Sequence, residues 1–336
     1  MRARLLRCMA ILVVPAMLAM AGAAAAAPAE RSDYLKLDIP YNAVAINVAP
    51  LWVAIDDGIF RRYGVEVRTE LSSRSPALVA SILSGETPFA IAGQDAVIAA
   101  DLNGGDIAIL VTGTEKLFFT IEAAPKIRNV ADLKGKKLGV TAFGTTTDFV
   151  ARYVLQQAGL RPELDTTILP IGSDANTLAA LEAGGIDAGV QGSGVILTPK
   201  KYISFNRIAS LIDYDLLFYT GSLVAKRSWV SAHPADALDV VRGFVAGIAS
   251  VYRNKPSALA AIGKYTHTND PAALEGAYRL LTKMLLKVPA PRPAGVRSGL
   301  AESKLAAAKT ADPAQFIDPS FVETLEKDGF IAGLYK

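Results

Sequence analysis

The stretch PLWVAIDDGIFRRYGVEVRTELSSRSPALVASILSGETPFAIAG, residues 50–93, decides the fold. Leu51, Ile55 and Ile59 recur at helical spacing, so it opens as a helix with one apolar face. Gly64 breaks that pattern, and Val65-Glu66-Val67-Arg68 alternates as a half-buried strand does. Ser75-Pro76 then supplies an N-cap with proline at the first helical position, and Gly85 suits the end of that second helix. A short apolar strand runs on to Gly93. Helix, turn, strand, polar loop, helix, turn and strand make up an open α/β sheet. Ligands of such sheets bind beyond the carboxyl ends of strands, which marks the loops Ser72-Ser73-Arg74 and Gly93-Gln94-Asp95.

The same alternation continues on both sides. Strand-like runs fall at 34–39, 65–71, 89–92, 107–111, 138–141, 168–171, 188–191 and 208–212, separated by helical patterns. This predicts α/β lobes with largely parallel sheets, and at roughly 100–200 residues per domain the chain suggests two of them. From Ser228 onward the pattern is mainly helical, with long helices around 234–252 and 271–286. The Pro-rich run 288–293 reads as a surface connector. An internal echo links 78–93 with 178–192: each ends a helix at a glycine (Gly85, Gly184), then runs an apolar strand to a second glycine (Gly93, Gly192). Either any helix–strand unit needs such a stop, or two similar lobes face one cleft.

Residues 1–29 read as a secretory signal peptide. Arg2, Arg4 and Arg7 precede an uncharged run rich in Leu, Val, Met and Ala, and Ala26 and Ala29 both satisfy the small-residue rule for cleavage. The alternative is an uncleaved anchor, against which Pro15, Gly22 and the alanine tract argue. The only cysteine, Cys8, lies in this segment, so a processed chain has no disulfide or thiolate. It must rely on its apolar core, for which roughly 310 residues are ample. The formal charge of +3 also resides there: without the three arginines, 32 basic residues balance 32 acidic ones. No basic field exists to hold nucleic acid, so an anion would need local donors.

Catalytic motifs are few. His233 and His267 are far apart, and no metal-ligand spacing, calcium loop or G-x-S-x-G elbow occurs, so no catalytic residue, metal or cofactor is expected. The segment 139–146, GVTAFGTT, has P-loop glycine spacing but lacks its lysine. What remains is a strand, a turn at Gly144, the hydroxyls of Thr145, Thr146 and Thr147, and a helix over 149–157. Such a junction either aims backbone N–H groups at a ligand or simply caps its helix.

Taken together, Pro50-Leu51-Trp52-Val53-Ala54, Asp57-Gly58-Ile59-Phe60, Tyr63-Gly64-Val65, Leu83-Ser84-Gly85-Glu86, Asp132-Leu133-Lys134-Gly135-Lys136 and Gly184-Gly185-Ile186-Asp187-Ala188 resemble the ABC-transporter periplasmic substrate-binding proteins for nitrate, sulfonates and taurine, relatives of thiamine-precursor binders. Pro88 stands where that pattern has Asp. The resemblance implies a type II two-lobed clamp, with two mixed, mostly parallel sheets. Lobe one would be 33–122 plus 222–336 and lobe two 123–221, with hinge segments near 118–122 and 221–226.

Topology then gives candidate contacts. Lobe one offers Tyr41, Asn42, Asn47, Ser72, Ser73, Arg74, Gly93, Gln94, Asp95 and Thr112. Lobe two offers Gly144, Thr145, Thr146, Thr147, Gln191 and Ser193, with Tyr219 near the hinge. Arg74 is the charged donor that could pair bidentately with a sulfonate or carboxylate, or it is a solvated loop residue. The resemblance implies a monomeric periplasmic receptor for a small organic or oxyanionic nutrient, served by permease and ATPase subunits on other chains. A ligand sensor for a signalling partner, and an enzyme like the thiamine-pyrimidine synthases, are the alternatives.

Overall fold

A computed structural model describes residues 33–72, 75–192, 205–303 and 305–336. The expected signal peptide, Ser73, Arg74 and Ser193 lie outside the described residues. In the first lobe, β3 (Phe89–Ala92), β10 (Ser222–Lys226) and β4 (Ile107–Val111) lie side by side, with β10 antiparallel to both. Alternation sorts their side chains onto two faces. Phe89, Ile91, Leu110 and Leu223 enter one core; Ala90, Ala92, Ile109 and Val224 enter the other. Both faces are buried, which is why these strands read as continuous apolar runs. β1 (Leu35–Asp38) pairs in parallel with β2 (Val65–Arg68), and parallel bridges from Tyr41 to Leu71 and Ile91 tie this pair to β3.

Helix α1 (Ala49–Asp56), from the opening stretch, packs along the helix Pro234–Arg253. Two glycines of that helix make room for what packs on it. A Cβ at Gly243 would fall 2.2 Å from the Phe60 ring, and one at Gly247 would fall 2.4 Å from the Pro50 carbonyl oxygen. The α1 backbone at Pro50 can approach this closely only without a side chain at Gly247, and the Phe60 ring, from the short helix Ile59–Arg62, fills the space a side chain at Gly243 would take.

The second sheet runs β7 (Thr167–Pro170), β6 (Lys137–Val140), β8 (Ala188–Gln191), β5 (Thr120–Ala123), β9 (Asn206–Ser210). β6 is parallel to β7 and β8, whereas β5 is antiparallel to β8 and β9. Leu138, Val140 and Val190 pack with Val150 and Val154 of α5 (Thr146–Gln157) into a separate core.

All eight strands expected from alternation are present, those at 89–92, 107–111 and 188–191 with the expected ends and the other five with shifted ones. β5 and β10 are the additions, and they take up most of the two segments expected as hinges. The crossings themselves are 112–119 and 211–221. β5 and β10 each arrive from the other lobe, and this reversal makes both sheets mixed. The two crossings are bonded to each other: Thr114 and Thr220 form an antiparallel bridge, and their buried hydroxyls lie 2.8 Å apart. The Pro-rich run is a correction to the surface-connector reading. Pro289 and Pro291 are buried, and the Pro289 carbonyl accepts the Thr112 N–H at 2.9 Å.

Candidate ligand-binding site

A cavity of about 670 Å³ opens between the two sheets, at the carboxyl ends of their strands. From the first lobe it is lined by Asn42, Asn47, Gly93 and Asp95, with Ala43, Val44, Val48 and Ile91. The second lobe contributes Thr141, Gly144, Thr145, Thr146, Thr147, Asp174 and Gly192. Phe118, Phe119, Thr220 and Gly221 of the crossings complete the wall.

Each lobe builds its part in the same way. β3 ends at Ala92, Gly93 follows it, and Asp95 sits in the first turn of α4 (Gln94–Leu102). A Cβ on Gly93 would lie 2.4 Å from Asp95 Oδ1, so glycine lets the carboxylate fold back over the strand end. β8 ends at Gln191, and the N–H of Gly192 just after it donates to Asp174 Oδ2 at 3.0 Å. Asp174 is the first residue of α6 (Asp174–Glu182), and a Cβ on Gly192 would lie 2.8 Å from the same oxygen. The echo seen in the sequence is therefore a pair of glycine-ended strands, each making room for an aspartate at a helix N-terminus.

Burial pushes the Asp95 carboxyl above the usual carboxylate range. Its own N–H, the Ala96 N–H and the Thr146 hydroxyl offset this in part. Burial raises Asp174 too, against the pull of the Gly192 N–H. Thr146 Oγ1 donates to Asp95 Oδ2 at 3.4 Å, a direct hydrogen bond between the lobes. At the start of α5, Gly144 (φ +77°) turns the chain, and its N–H donates to Asp148 Oδ2 at 2.9 Å. Asp148 also pairs with Arg152 at 2.8 Å. The hydroxyls of Thr141, Thr145 and Thr147 bond to one another at 2.7–3.2 Å.

Of the residues singled out in the sequence, Asn42, Asn47, Gly93, Asp95, Gly144, Thr145, Thr146 and Thr147 line the cavity. Tyr41, Gln94, Thr112, Gln191 and Tyr219 are buried away from it, and Ser72 is not on its wall. Their buried roles are structural corrections. Tyr41 bridges strands and meets the Trp52 ring edge-on at 5.7 Å. Gln94 exchanges hydrogen bonds with the Tyr219 backbone at 3.0–3.1 Å. Thr112 donates its hydroxyl to the Thr114 carbonyl at 3.1 Å. The Tyr219 hydroxyl donates to the Arg292 carbonyl at 2.9 Å and accepts the Arg292 N–H at 2.7 Å. Gln191 ends β8 at 1 % exposure with Nε2 unpartnered. Asp174, Phe118 and Phe119 were missed. Asp174 follows β7 as Asp95 follows β3, so the strand-end rule could have found it.

A family model described as NMT1/THI5 like matches residues 45–276. The chain belongs to the NMT1/THI5-like family. This NMT1/THI5-like chain is 25% identical over 173 residues to a protein of Brucella abortus (strain 2308) named only as a binding protein, covering 51% of this chain and 52% of that one. It spans about half the length of the curated relatives it matches. Among solved structures it superposes on the periplasmic aliphatic sulphonate binding protein SsuA of Escherichia coli, with TM-score 0.69, 20% identity, and 86% and 99% of the two chains covered. The periplasmic nitrate-binding protein NrtA of Synechocystis PCC 6803 gives TM-score 0.72, 12% identity, and 90% and 91% covered. The desulfurization enzyme DSZB shares the fold, with TM-score 0.66, 13% identity, and 87% and 99% covered. The fold of this NMT1/THI5-like chain is thus the two-lobed periplasmic-binding-protein clamp.

Proposed function

We propose that this protein is a periplasmic solute receptor: it captures a small organic molecule by lobe closure and delivers it to an ABC importer whose permease and ATPase lie on other chains. The cavity carries this reading. Strand ends and helix N-termini of both lobes line it, and closing the lobes would bury a ligand from water on all sides. The signal-peptide-like N-terminus supports a periplasmic location. The cavity-lining residues that are described offer no thiol, imidazole or amine, which favours a receptor over an enzyme. The fold shared with DSZB favours a catalytic reading instead, and recovery of an unaltered ligand separates the two.

Native mass spectrometry of protein purified from its own host tests the proposal. The expected result is a retained small molecule that binds 1:1 when returned to the stripped protein and contracts it in small-angle scattering. The receptor reading is overturned if no molecule is retained and none of a panel of sulfonates, carboxylates, amines and heterocycles binds saturably. It is equally overturned if the bound molecule is chemically converted.

A further inference from the structure

The helix N-termini at this cavity would ordinarily suit an oxyanion, because their first N–H groups are free and the helix dipole favours negative charge. Here a carboxylate already stands in the first turn of each helix. Asp95 accepts from the first N–H groups of α4, Asp174 accepts the Gly192 N–H at 3.0 Å, and Asp148 accepts the Gly144 N–H at 2.9 Å beside the start of α5. Two of these carboxylates, Asp95 and Asp174, line the cavity, one from each lobe. No Lys, Arg or His stands among the described residues of its wall. An independent observation points the same way. Asn47 lines the cavity at 6 % exposure, and its Oδ1 is buried without a hydrogen-bond partner. A buried acceptor left unpaired costs stability until something donates to it. The rest of the wall is apolar, notably Val44, Val48, Ile91 and the Phe118 and Phe119 rings.

Resting on the receptor reading above, we propose that the ligand is a small organic cation. Its protonated amine or amidinium would be held by Asp95 and Asp174, with Asn47 accepting a further N–H, and its carbon skeleton would lie on the Phe118 and Phe119 side. Ionised together, these two carboxylates on opposite lobes would repel as the lobes approach, and a cation between them would favour the ionised forms and turn that repulsion into attraction. The ligand would therefore bind the closed form better than the open one, which is the only way it can drive closure. Each strand-ending glycine, by making room for its aspartate, is part of this device.

Calorimetry on the stripped protein tests this with benzylamine and putrescine as cations, benzyl alcohol as the neutral isostere, and benzenesulfonate, ethanesulfonate and nitrate as anions. At least one amine is expected to bind saturably and to outcompete the alcohol and the anions. Asp95→Asn and Asp174→Asn should each weaken it about tenfold or more, as loss of a charge-assisted hydrogen bond does, while both variants melt no lower than the parent. Preferential binding of an anion overturns the proposal and leaves the receptor reading standing, as does retention of a non-cationic molecule from the host. Amine binding indifferent to both substitutions overturns it as well. So does failure of every amine to bind; the receptor reading then stands or falls on the retained molecule.

Discussion

Asp95 is a carboxyl in a setting that gives its ionised form little in return. Its hydrogen-bond donors are its own N–H, the Ala96 N–H and the Thr146 hydroxyl, all neutral, and burial holds its carboxyl above the usual range. A carboxyl raised in the folded state binds more protons folded than unfolded between its unfolded and folded pKa values. Its ionised form therefore subtracts stability above the folded value, and the loss disappears as pH falls below the unfolded value. Asp95→Asn is expected to raise Tm at pH 7 by about 2–4 °C for each kcal/mol recovered, and the gain should vanish near pH 3.5. Melting curves at both pH values check this; a variant less stable at pH 7 contradicts it. Tyr219 makes the opposite case. Its hydroxyl satisfies both backbone groups of Arg292, away from the cavity. Tyr219→Phe should cost roughly 1–3 kcal/mol in urea unfolding by stranding those groups, with ligand affinity unchanged.

At the scale of elements, the contact between α1 and the helix Pro234–Arg253 depends on what Gly247 lacks. Alanine is a better helix former than glycine by about 1 kcal/mol, so an exposed Gly→Ala change would stabilise. Gly247→Ala is expected to do the reverse and lose roughly 1–3 kcal/mol, because its methyl would meet the Pro50 carbonyl at 2.4 Å. Denaturant midpoints measure the sign directly. The same elements show what could be read without coordinates. Alternating or continuous apolar runs marked eight strands, and glycine stops such as Gly85 (φ +84°) and Gly184 (φ +72°) marked helix ends. Strands β5 and β10 read as hinge in the sequence because their pairing partners lie across the molecule, and nothing local in 120–123 or 222–226 announces that partnership. Among site residues, those on the first turn after a strand were legible, as Gly93, Asp95 and Gly144 to Thr147 show. Tyr41, Gln94, Thr112 and Tyr219 sit in similar stretches yet turn inward, and side-chain direction at a strand end is settled only by what packs beneath it.

At the scale of the whole molecule, two crossings bonded through Thr114 and Thr220 join the lobes, and Gly221 sits where the return crossing meets the cavity. Gly221 has φ +60°, and a Cβ there would lie 2.7 Å from the Asn47 carbonyl. Gly221→Ala should therefore cost roughly 1–3 kcal/mol of stability and weaken the contraction that ligand produces in small-angle scattering. Contraction equal to the parent's would show that this point does not control closure. The position of β10 has a consequence of another kind. It lies between β3 and β4, yet it is made only after the entire second sheet. As the chain emerges, 120–210 can pair within itself, while β3 and β4 wait with open edges for a strand encoded more than a hundred residues after them. The lobe that begins the protein should be the last to fold. Pulse-labelled hydrogen exchange during refolding should find β6 and β8 protected before β3 and β4. A chaperone that grips unfinished sheets would find its target in the N-terminal third of this chain.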